Sequence, residues 1–191
     1  MDALSIPEYK ERHAGPCIVL GSAWCVDSDL KKALGLRPGA FLIGVNRTVG
    51  HYKCGMMVAI DRKKAQAWKQ SHLDRFGPVE LHGGREGAYG AIEAYPWYDH
   101  FWPELQEGGG TSCLLAARIA LEVGFNEVIL CGAPLSCGPY LDGEDDWSRR
   151  NDIQLRAYRN PWRKLMHKGL LYGKVYSMSG WTRDLLGEPD E

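Results

Sequence analysis

The chain has 191 residues, 45% of them hydrophobic, and a formal net charge of -1 from 23 basic and 24 acidic side chains. That apolar share excludes wholesale disorder. The balanced charge excludes nucleic-acid binding driven by a global basic field, and no run of about 18 apolar residues exists to span a membrane.

Within that frame the length suits one domain over 1–191. The opening residues hold no basic segment leading into an apolar run, so a cytoplasmic protein is expected. The six cysteines, Cys17, Cys25, Cys54, Cys113, Cys131 and Cys137, form no C-x-x-C pair. They read as free thiols, several of them small buried hydrophobes in apolar runs. A local basic cluster remains late in the chain at Arg149, Arg150, Arg156, Arg159, Arg163 and Lys164.

Taken in chain order, strands and helices alternate. Cys17 to Gly21 is a short apolar run ending in glycine, a buried strand. Asp27 or Ser28 caps a helix through Leu34, stopped by Gly35. Ala40–Val45 and Met56–Ile60 are further strands, ending at Asn46 and Asp61, and Arg62 to about Gln70 is helical. Pro78–His82 is a candidate strand.

The stretch 83–110 is irregular and rich in aromatic residues, with Tyr89, Tyr95, Trp97, Tyr98, Phe101 and Trp102. It reads as a lid or binding loop over the sheet. A helix follows from Cys113 to Val123, then a strand from Glu127 to Cys131 ending at Gly132. A second irregular insertion, 133–150, carries the acidic run Asp142, Glu144, Asp145 and Asp146. An amphipathic helix from about Asn151 to Lys168, a strand from Lys174 to Met178 and a short helix from Trp181 complete the chain. The pattern predicts an α/β fold, a Rossmann-like three-layer sandwich with a mainly parallel sheet. Ligands of such sheets bind outside the carboxyl ends of the strands.

Pooling the strand ends gathers the candidate site. Gly21, Ser22 and Ala23 follow the first strand, Asn46 the second, Asp61 the third, and Gly132 a later one. Gly110, Thr111 and Ser112 open the helix before that later strand. Glycine lets backbone approach a ligand, and a helix start with two hydroxyls favours phosphate oxygens. Asn46 has the donor and acceptor to read a base or ribose. Asp61 suits a metal such as Mg2+, a ribose hydroxyl or a general base. His82, at a strand end, is a candidate acid or base.

Each of these residues also has a plainer use. Gly21 can be a turn, Asn46 can stabilise its own turn, and Asp61, Thr111 or Ser112 can be helix caps. Known signatures are absent: there is no G-x-x-x-x-G-K-[ST], no G-x-G-x-x-G after the first strand and no G-x-S-x-G.

The order of these motifs resembles the domain-of-unknown-function 115 group, which includes archaeal 6-hydroxymethylpterin diphosphokinases. It also resembles the family 42 sialyltransferases with their Rossmann-like CMP-sugar domain. The resemblance rests on Val19-Leu20-Gly21-Ser22-Ala23-Trp24, on Gly44-Val45-Asn46-Arg47, on Val58-Ala59-Ile60-Asp61, and on Gly110-Thr111-Ser112 leading to Val128-Ile129-Leu130-Cys131-Gly132. The first turn lacks the proline and second glycine of those families, and Ala133-Pro134 stands where many relatives carry an aspartate. The small size resembles members encoded by bacteriophages.

The resemblance implies a transferase using a nucleotide or nucleotide-sugar donor. Gly21, Ser22, Thr111 and Ser112 would hold phosphates, Asn46 the base or ribose, and Asp61 a metal or the donor. His82 or a tyrosine of the irregular segment would be the acid/base. Two other readings stand beside it: a non-catalytic nucleotide-binding module, and a homo-oligomerising structural unit with a vestigial site.

Overall fold

The computed structural model describes residues 12–84, 97–106, 111–143 and 152–190. Its core is a sheet of seven parallel strands: β1 (Pro16–Leu20), β2 (Phe41–Val45), β3 (Met56–Ala59), β4 (Glu80–Gly83), β5 (His100–Phe101), β6 (Glu127–Cys131) and β7 (Val175–Ser177). The spatial order is β5-β4-β3-β2-β1-β6-β7. The chain therefore walks outward from β1 to β5, then returns to the other side of β1 with β6. That reversal between β1 and β6 is the switch point at which doubly wound sheets open a crevice.

Alternation along the central strands explains the layers. In β1, Cys17 and Val19 face one side with Val128 and Leu130 of β6, while Ile18 and Leu20 face the other with Ile129 and Cys131. All are buried on both faces, as a parallel sheet requires. The first face is covered by α3 (Ser112–Glu122), α4 (Asp152–His167) and α5 (Gly180–Leu186), through Leu115, Ile119, Trp162, Leu165 and Leu186. The second is covered by α1 (Val26–Leu36) through Val26 and Ala33, and by α2 (Arg62–Phe76) through Ala65.

Element for element the expected alternation is present. The helix expected to end near Gln70 runs on to Phe76, because nothing breaks it before Gly77, which takes φ 97. In the first irregular stretch the described part adds β5, a two-residue edge strand paired with β4. So short a strand has no period to read. The expected lid aromatics within this part are packing residues. Trp102 is buried in the core facing α3, Trp97 and Tyr98 pack beside Met57, Ala59 and Leu81, and Phe101 lies under Arg62. Tyr89 and Tyr95 lie outside the described residues, as do Gly110, Glu144–Asp146, Arg149 and Arg150. Among the described residues no helix is long and apolar enough to cross a membrane.

Candidate functional site

At the carboxyl edge of the sheet, over the switch point, opens a cleft of about 390 Å³. Ser22, Ala23, Asn46, Asp61, Thr111, Ser112 and Gly132, gathered from five separate chain segments, all line it. Trp24, Lys64, Trp68, Tyr140, Tyr158 and Trp162 add a largely aromatic wall.

Two sequence candidates stand elsewhere. Gly21 does not line the cleft: a β-carbon there would lie 2.4 Å from the Gly132 carbonyl oxygen, so its bareness lets the two switch-point turns touch. Gly132 serves the same contact from the other side, at φ 66, where a β-carbon would come 2.6 Å from the Gly21 carbonyl oxygen. His82 is fully buried on β4 and also lies outside the cleft lining.

The start of α3 is built to face an anion. Thr111 is its N-cap, with Oγ1 accepting the Leu114 N–H at 3.2 Å. The amides of Ser112 and Cys113, ahead of Leu114 in the first turn, have no intrahelical acceptor. Thr111 keeps its own hydroxyl hydrogen for a ligand. The positive end of the helix dipole points the same way.

Asn46 lies across the cleft, where β2 turns into a short 3-10 helix (Asn46–Gly50). Its φ is 55, a left-handed conformation that asparagine tolerates better than most side chains. Its Oδ1 is buried without a hydrogen-bond partner among the described residues. A buried acceptor left unpaired is costly and asks for a donor.

Asp61 caps α2, accepting the Lys64 N–H at 3.3 Å, and its other oxygen lies 3.9 Å from Lys64 Nζ. It is the one carboxylate among the described lining residues. A divalent cation would find there a single carboxylate already held by an ammonium and an amide. By itself that donor set supplies too few ligands to hold Mg2+ without phosphate oxygens. Cys113 also lines the cleft, but burial pushes its thiol up to about 12, which keeps it protonated and unreactive.

The loop after β6 forms the other wall and is held from every side. Buried Asp29, on α1, accepts from Gly132 N–H at 2.9 Å and Ser179 Oγ at 2.6 Å. Thr182 Oγ1 donates to the Ala133 carbonyl at 2.8 Å. Leu135 sits at φ 45, and its carbonyl accepts from Arg159 Nε at 3.1 Å and Nη2 at 2.7 Å. That guanidinium in turn stacks over Trp181. A bulky side chain at positive φ stores strain, and such strain gathers at functional sites. Further along, Tyr140 bridges to Ala23 and Leu141 N–H donates to the Ser22 carbonyl at 2.8 Å. Asp142 accepts from Arg47 at 2.6 Å, so the described part of the acidic run holds an arginine.

Sequence reasoning missed Asp29, Arg159, Thr182 and the aromatic wall. Asp29 looks like an ordinary first-turn acid, and Tyr158 and Trp162 look like the core stripe of an amphipathic helix. The one available signal was the sequence Gly132-Ala133-Pro134-Leu135, whose rigid turn must be supported by something.

A second cluster sits near the sheet edge, where Glu80, His82 and His100 bring ligand-type atoms within 4.8 Å of one another. Trp102 Nε1–H donates to His82 Nδ1 at 3.0 Å, so neutral His82 carries its proton on Nε2, facing Glu80. A metal-bound imidazole has the reverse polarity, donating from its far nitrogen. The Trp102 bond thus sets His82 in the tautomer opposite to that of a metal ligand. Burial lowers the pKa of both histidines, His100 to about 4.

No family model matches the chain, and no curated protein matches it in sequence. Solved structures do match. The sialyltransferase CstII from Campylobacter jejuni, in complex with the substrate analogue cytidine-5'-monophosphate, superposes with a TM-score of 0.62 at 12% identity, covering 92% of this chain and 85% of that one. The same enzyme in complex with CMP-3FNeuAc gives 0.62 at 11%, covering 91% and 86%. The fold is sialyltransferase-like. At that identity the likeness concerns the fold, a glycosyltransferase-like α/β sandwich spanning nearly the whole chain.

Proposed function

We propose that this chain is a transferase that takes a nucleotide or nucleotide-sugar donor in the switch-point cleft. The observation that carries the reading is the convergence of Ser22, Asn46, Asp61, Thr111 and Ser112 on one cleft where Asn46 Oδ1 lacks a partner among the described residues. The solved neighbours, which hold CMP and CMP-3FNeuAc, support it.

In this reading the donor's phosphate lies at the start of α3. The Ser112 and Cys113 amides and the Thr111 and Ser22 hydroxyls donate to its oxygens. Asn46 Oδ1 accepts from the nucleoside, and the aromatic wall stacks on base or sugar. In glycosyl transfer the bond between the anomeric carbon and the phosphate oxygen breaks, leaving its electron pair on phosphate. The acceptor oxygen bonds to that carbon, and its proton passes to a base. Asp61 is the carboxylate at hand for that proton, and Lys64, on the same turn, adds positive charge beside the departing phosphate. Preformed donors need no reorganisation as charge develops, which makes them the main contribution.

The diphosphokinase resemblance makes ATP the second donor to test. A non-catalytic binding module is the competing reading, favoured by one observation: Asp61 is already engaged as a helix cap. Incubation with a CMP-activated sugar or with ATP-Mg2+, with acceptor sugars and pterins supplied, decides between them by product analysis. Transfer, lost in Asp61→Asn, supports the transferase. Tight nucleotide binding without turnover supports the module, and no binding of any nucleotide overturns both.

A further inference from the structure

Apart from Arg159, the described part of the basic segment lies on the outer surface and does not line the cleft. Between 152 and 174 the one acid is Asp152, against Arg156, Arg159, Arg163, Lys164, Lys168 and Lys174. Arg159 turns inward to the Leu135 carbonyl. Leu155, Trp162 and Leu165 face the core, while Ile153, Arg156, Asn160, Arg163, Lys164 and His167 face outward at three- and four-residue spacing. Arg156, Lys164, Lys168 and Lys174 have no carboxylate partner among the described residues.

The same surface carries exposed apolar groups. Among the described residues five large apolar side chains are exposed, and three of them, Ile153, Leu170 and Tyr172, belong to α4 or to the turn that follows it. Leu170 and Tyr172 are 49% and 74% exposed, and lie between Lys168 and Lys174.

We propose that the outer face of α4 and the turn 169–173 dock on an anionic lipid surface. These cations meet acidic headgroups, each contributing attraction that fades with salt. Leu170 enters the acyl boundary, Tyr172 sits at headgroup depth, and Lys168 and Lys174 lay their stems along it. Nucleic acid would use the cations equally, but its backbone offers nothing to a protruding leucine and isoleucine. Tyr158 and Trp162, on the inner side of α4, line the cleft. Docking therefore brings the cleft within about one helix diameter, roughly 10 Å, of the bilayer. The inference stands independently of the transferase reading.

The test is flotation of the full chain with vesicles of phosphatidylcholine alone and of phosphatidylcholine mixed with phosphatidylglycerol, beside a duplex DNA shift at the same salt. The expected result is partitioning to the mixed vesicles only. It should fall roughly a hundredfold in Arg156→Glu/Lys164→Glu/Lys168→Glu, and clearly in Leu170→Ser/Tyr172→Ser, which leaves the charge unchanged. All five positions are exposed, so circular dichroism and the melting temperature should stay near wild type. Absence of binding to the mixed vesicles overturns the proposal. So does vesicle binding that neither variant weakens, or DNA binding in place of vesicle binding.

Discussion

Asn46 concentrates the functional argument at the scale of a single residue. It holds a left-handed backbone and a buried acceptor without a partner among the described residues, both costs to the fold. Glycine removes both. Asn46→Gly is expected to leave the melting temperature unchanged or higher while weakening nucleotide binding by about tenfold or more, the worth of one buried hydrogen bond. Calorimetric titration beside thermal melting checks it, and equal affinity would remove Asn46 from the site. Thr111 behaves differently because its oxygen already caps α3. Thr111→Ala should cost about 1 kcal/mol of folding stability as well as affinity, whereas Thr111→Ser should retain the cap and most of the binding. Chemical denaturation of the two variants separates these effects.

At the scale of elements, the wall after β6 depends on α1 through Asp29. Asp29→Ala strands the Gly132 amide and the Ser179 hydroxyl, and is expected to lower stability by about 3 kcal/mol, from two hydrogen bonds to a charged acceptor. A loss under about 1 kcal/mol in urea denaturation would contradict that role. The β4–β5 edge sets a pH dependence. His100 titrates at about 4 in the fold against an ordinary 6.5, so the unfolded chain takes up its proton first. His82 is shifted in the same direction. Stability from the pair is full above about pH 6.5 and drains as pH falls toward 4. His100→Gln should flatten the decline of melting temperature across that window.

The elements themselves were largely legible, because buried parallel strands read as short apolar runs and Asp61 and Thr111 punctuate helices with ordinary cap chemistry, whereas the stop of α2 at Gly77 was not read. β5 was not, being two residues long. The strand ends on the cleft were legible through topology, since parallel strands deliver their carboxyl ends to one edge. His82 shows where that logic stops. It stands near a strand end too, but its side chain points into the packed face under Trp102, and the sequence does not say which face of β4 meets the ligand. Gly21 shows the same limit, because a glycine required for chain-to-chain contact looks like one required for a ligand.

For the molecule as a whole, the cleft depends on the reversal of strand order between β1 and β6. The first turn, the Asn46 turn and the start of α3 meet there, and the loop after β6 is braced by Asp29, Thr182 and Arg159 before any ligand arrives. Such bracing suits a site whose donors must already be in place when charge develops. The most direct test is a crystal structure of the protein soaked with CMP. The phosphate is expected at the start of α3, within hydrogen-bond reach of the Ser112 amide and Thr111 Oγ1, with the nucleoside turned toward Asn46. CMP bound away from this cleft, or a cleft left empty under saturating CMP, would contradict it.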